Sequence, residues 1–86
     1  MIEIPLVTSE TNLAVYLIQQ GFKLLEIQYE PRSNGNRKRG IFLFSTSDKR
    51  IYEFRDIFNN GNASINMADF EEIRKELVNR ILKEQP

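Results

Sequence analysis

The chain has 86 residues, with Lys plus Arg and Asp plus Glu balanced at 12 each, and it contains neither Cys nor His. That length accommodates one core, so residues 1–86 are expected to form a single domain. Without thiolates or imidazoles there is no disulfide framework, no usual zinc ligand and no ordinary proton shuttle for neutral pH, and the charge balance gives no global attraction to nucleic acid.

The opening "MIEIPLVTSE" lacks the basic and apolar regions of a signal peptide, and no window approaches the roughly 18 apolar residues of a membrane span. A cytoplasmic location is the expectation, with no membrane partner. Ile2 and Ile4 alternate with Glu3 ahead of Pro5, which suggests a short edge strand. "TSETNLAVYLIQQGF" reads as a helix capped by Thr8 or Ser9, with Glu10 at the positive end of its dipole. Gly21 is placed to take the left-handed conformation that ends the helix, which sets Phe22 against Leu17.

Residues 23–46 read as a β-hairpin turning at Asn34-Gly35, the dipeptide a type I′ turn prefers. That turn puts Leu25, Ile27 and Tyr29 on one face with Phe44, Phe42 and Gly40. Leu24, Glu26, Gln28 and Glu30 then share the other face with Ser45, Leu43, Ile41 and Arg39. Glu30 falls opposite Arg39 as an ion pair, and Arg32 falls opposite Arg37. Pro31 loosens the tip.

A second helix is expected from Ser47, its cap, to Gly61, its stop, with Asp48 in the first turn and Ile51, Phe54, Ile57 and Phe58 as the apolar stripe. Ala63 and Ile65 allow a short third strand or an extended connection. The last helix starts near Asn66, with Asp69 three residues on as a shortened capping box. Phe70, Ile73, Leu77 and Ile81 form its stripe, flanked by Val78 and Leu82. Glu71–Lys75 and Glu76–Arg80 are spaced as i,i+4 ion pairs. A lone hairpin is not stable in water, so helices must cover one of its faces. The expected fold is a small two-layer α+β domain of order α-β-β-α-(β)-α, with a central antiparallel hairpin packed by two or three helices.

The run "TSETNLAVYLIQQGFKLLEIQ", then "GIFLFSTSDKRIYEFRDIFNNG", then "INMADFEEIRKEL" resembles the DUF5659 family, short proteins of bacteria, archaea and their viruses. The resemblance spans roughly residues 8 to 78 and rests on core and turn positions, so it implies a fold more than a function. It implies a viral or mobile-element protein, and brings no catalytic residues to carry over. The long basic hairpin tip is not explained by it.

Three surfaces are candidates for function. Arg32, Arg37, Lys38 and Arg39 crowd the hairpin tip without an acid, with Lys49 and Arg50 as reinforcement, and would suit phosphate contact in a nucleic-acid reader. A solvated, aggregation-resistant turn accounts for the same residues. The outer sheet face offers Leu24, Ile41 and Leu43 as an interface for a protein partner or a second copy in a homodimer. Glu26 and Glu30 share a strand face, but no further acid or lysine completes a metal-dependent nuclease pattern. No cofactor is expected, and an enzyme is the least favoured class, since no nucleophile stands beside a base. The balance favours a non-enzymatic accessory protein acting through the outer face, in host takeover or defence inhibition if viral, with nucleic-acid binding at the tip as the alternative.

Overall fold

The computed structural model describes residues 3–31 and 38–83. Its elements run β1 (Leu6–Thr8), α1 (Thr11–Gln19), β2 (Leu24–Pro31), β3 (Lys38–Phe44), α2 (Arg50–Asn59) and α3 (Met67–Lys83). The sheet is antiparallel in the order β1-β3-β2, so β3 is the central strand. The expected two-layer α+β class holds. The third strand, however, precedes α1; residues 63–65 form the extended connection.

β1 lies after Pro5, not before it. Leu6 pairs with Phe44 and Thr8 with Phe42, which buries Leu6, whereas Ile4 is 77% exposed. Helix α1 opens with Glu10 in the capping position, where its N–H donates to Thr8 Oγ1 at 3.1 Å. Its end matches expectation. Gly21 has φ +93°, its N–H donates to the Ile18 carbonyl, and the Phe22 N–H reaches the Leu17 carbonyl at 3.1 Å.

The second helix starts later than Ser47. Lys49 precedes it, and Asp48 Oδ1 accepts the Arg50 N–H at 3.1 Å, so the capping carboxylate is that of Asp48. Asn66 caps α3 as read, its side-chain oxygen accepting the Asp69 N–H at 3.3 Å. On α3 the expected i,i+4 ion pairs are not formed: among the described residues the salt bridges are Arg50–Asp48 and Arg55–Asp56. Leu82 is exposed rather than flanking the core.

Phe42 and Phe44 are fully buried on the inner face of β3, in one core with Leu13 to Leu17 of α1, Ile51 of α2, and Phe70 and Leu77 of α3. Phe54 stacks edge-on to Phe22 at 5.3 Å between ring centres, and Phe58 lies 5.4 Å from Tyr16. Gly40 sits where a Cβ would meet Ile81 Cδ1 at 3.0 Å, which lets the last turns of α3 close over β3 where it pairs with Tyr29, at the turn-side half of the hairpin.

The hairpin register agrees with the sequence from Glu26 to Pro31, including Ile27 opposite Phe42 and Glu30 opposite Arg39. The Asn34-Gly35 turn and the Arg32–Arg37 rung lie outside the described residues. At the other end a bulge intervenes. Leu24, not Leu25, pairs with Phe44, and the register shifts between Leu24 and Glu26. One extra residue reverses the facing of everything before it. Leu24 is therefore packed against the core and Leu25 is turned out, 49% exposed.

The two adjacent leucines thus differ sharply in cost. Leu24→Ala is expected to lower stability by about 2 kcal/mol as a half-buried core truncation, while Leu25→Ala stays within about 0.5 kcal/mol. Urea unfolding of both variants checks the bulge; equal losses would contradict it.

Candidate protein-interaction surface

All three helices pack on the Phe42/Phe44 side of the sheet. On the opposite side a row crosses three strands: Val7 on β1 pairs with Leu43 on β3, and Leu43 pairs with Glu26 beside the bulged Leu25 on β2. Ile41 stands two residues along β3 from Leu43, opposite Gln28. Val7 is 58% exposed, Ile41 and Leu43 are half-buried, and neither of the latter packs against the core cluster. Glu26 and Gln28 are exposed beside them.

Of the three predicted interface residues, the structure brings Ile41 and Leu43 together and removes Leu24. Val7 and Leu25 take its place. Val7 had a signal in the sequence, the apolar-apolar-polar run Leu6-Val7-Thr8 just after a proline. Leu25 had none, because two adjacent leucines fit either facing equally well.

The cationic set is divided. Lys38 and Arg39 begin β3, and Arg32 and Arg37 lie outside the described residues. Lys49 and Arg50 follow the far end of the same strand. At about 3.3 Å per residue, the length of β3 puts roughly 20 Å between the two groups. Arg50 is also engaged, its guanidinium donating to Asp48 Oδ2 at 2.7 Å. That pairing holds the Asp48 carboxyl below the ordinary aspartate range and raises the Arg50 guanidinium. Lys49 and Arg50 therefore lie at the opposite end of β3 from Lys38 and Arg39.

Beside the apolar row lies a surface cleft of ≈ 420 Å³ lined by Glu3, Phe22, Lys23, Leu25, Ser45 and Asp48, among others. Glu3 closes one side. Ser45 Oγ donates to Glu3 Oε1 at 2.9 Å, the Thr46 N–H donates to the same oxygen, and Ser47 Oγ donates to Oε2 at 3.4 Å. Thr46 Oγ1 donates to the Ile4 carbonyl at 2.8 Å. This cluster ties the segment ahead of β1 to the turn between β3 and α2. Residues 42 to 44 positions apart meet here, a separation at which a single sequence carries no local signal.

A family model, Domain of unknown function (DUF5659), matches residues 6–83. The chain belongs to the DUF5659 family. The match covers every strand and helix, so this DUF5659 domain is the fold described above. No curated protein and no solved structure matches the chain. Among the described residues of the DUF5659 chain, no helix is long and apolar enough to cross a membrane.

The Glu3 cluster makes a pH-dependent contribution of known sign. The Ser45 hydroxyl, then the Thr46 N–H, hold the Glu3 carboxyl below its ordinary value of 4.5. A carboxyl whose pKa is lower folded than unfolded stabilises the fold above the unfolded value, and that contribution is lost as pH falls through the folded value. Glu3→Gln should therefore unfold at lower urea than wild type at pH 7, with the gap narrowing below pH 4.5. A gap that stays constant across that range would refute the carboxylate's role.

Proposed function

We propose that this domain is a non-enzymatic accessory module that binds another protein through the outer face of its sheet. The observation that supports this reading is the apolar row of Val7, Leu25 and Leu43, with Ile41 beside it, on the side opposite all three helices. A solvent-facing sheet surface ordinarily alternates to polar residues, as this one does at Glu26 and Gln28. Central strand β3 instead places Ile41 and Leu43 outward as well as Phe42 and Phe44 inward, so it is apolar on both faces. A strand apolar on both faces is the pattern of a sheet covered on both sides. The absence of His and Cys from the sequence favours binding over catalysis.

The rim suits such a contact. Glu26, Gln28 and Glu3 border the aliphatic row with polar groups, the arrangement of an interface centre surrounded by a wetter margin. Nucleic-acid binding at the tip is the competing outcome, and the separation of Lys49 and Arg50 from Lys38 and Arg39 weakens it.

Two sets of substitutions separate these outcomes. Ile41→Glu or Leu43→Glu should abolish association, whether the partner is recovered by affinity capture or the second copy is followed by sedimentation. The triple change of Arg37, Lys38 and Arg39 to Ala should leave association intact. Fluorescence anisotropy with labelled DNA and RNA at about 50 and 200 mM salt supplies the other arm, since phosphate contacts weaken steeply over that interval. Salt-sensitive binding lost in the triple variant, with Ile41→Glu unaffected, would replace the face with the tip.

A further inference from the structure

Strand β2 borders the sheet, and its hydrogen-bonding pattern follows from one contact. The Ser45 N–H donates to the Lys23 carbonyl at 2.9 Å, which makes that pair hydrogen-bonded across β2 and β3. Alternation along an antiparallel ladder then directs the backbone groups of Leu43, Ile41 and Arg39 toward β2, where they meet Glu26, Gln28 and Glu30. The N–H and C=O groups of Ile27 and Tyr29 accordingly point away from β3, off the edge that no described strand pairs. Pro31 fits this parity, because a proline in a sheet is tolerated where its missing N–H would have faced outward.

The edge is asymmetric in chemistry. Ile27 and Tyr29 lie half-buried on the helix side, so an added strand would find partial apolar cover there. On the outer side Glu26 is exposed and joins no salt bridge among the described residues. We infer that the β2 edge accepts an extended segment of a foreign protein as a fourth strand, with apolar residues toward the helices alternating with Lys or Arg opposite Glu26. Backbone pairing with Ile27 and Tyr29 supplies the affinity and the alternating side chains supply the selectivity. A second copy of this chain is the poorer occupant. Self-pairing centred on Gln28 sets Glu26 opposite Glu30 of the other copy, and like charges directly opposite are unfavourable.

The inference rests on the protein-binding reading and extends it, because the fourth strand would carry the outer row of Val7, Leu43 and Leu25 onto the partner. The bulge at Leu25 and Pro31 bound the usable stretch to residues 26–30, and these same devices deter indiscriminate edge pairing.

The test uses two labelled, end-blocked seven-residue peptides, one alternating Val with Lys and one alternating Val with Glu. The Lys peptide should bind saturably and slow hydrogen exchange at the Ile27 and Tyr29 amides, with the Glu peptide weaker. Tyr29→Pro removes an outward donor while sparing the ladder to β3, and should weaken the Lys peptide about tenfold. Glu26→Lys, an exposed change that leaves folding intact, should exchange the preference between the two peptides. Absence of binding, or binding indifferent to both variants, overturns the edge proposal. So does slowed exchange at those amides without peptide that rises with protein concentration, which would put a second copy on the edge. Peptide contacts confined to Val7, Ile41 and Leu43 would overturn the edge while leaving the outer-face reading standing.

Discussion

Strand β3 occupies the centre of the sheet, and the two-residue alternation of its side chains governs the rest of the molecule. Phe42 and Phe44 are directed into the helical layer with no exposed surface, while Ile41 and Leu43 are directed out of it. Because both neighbours pair with β3 in fixed register, its alternation also decides the facing of β1 and β2. Burying two phenylalanines recruits α1, α2 and α3 to one side. Among the described residues, no helix packs on the other side.

Two departures from regularity adjust that plan. The bulge at Leu25 turns Leu24 inward, filling the core below Phe44, and turns Leu25 out toward the cleft that Glu3 borders. A bulge costs an unpaired residue in the ladder and sharpens the local twist. Here it adds an aliphatic side chain to the outer row. The Glu3 cluster then fixes the segment ahead of β1 against the β3–α2 turn, so that Val7 is held beside Leu43.

Charge follows a similar logic of local use. The molecule has no net charge, and among the described residues its ion pairs are short-range contacts at the start and along the body of α2, between residues one or two apart. Asp48 serves as both helix cap and partner of Arg50, which consumes a cation that the sequence left open for phosphate. Exposed pairs of this kind contribute little to stability. Their effect is on what remains available at the surface.

The parts of this protein legible in one sequence were those set by neighbouring residues. Helix periodicity identified the faces of α2 and α3, and Gly21 and Asn66 marked helix ends through conformations and hydrogen bonds that span only a few residues. The pairing of Ile27 with Phe42 followed from counting outward from a turn dipeptide. Counting failed at Leu24-Leu25, because a bulge between two identical side chains changes the facing without changing the hydrophobic pattern. It failed again at β1, where burial of Leu6 against Phe44 outweighs the alternation of the residues before Pro5. The Glu3 cluster and the makeup of the outer row were decided only by tertiary structure. Each depends on segments about 20 to 45 residues apart meeting in space, and local propensity extends over a few residues only.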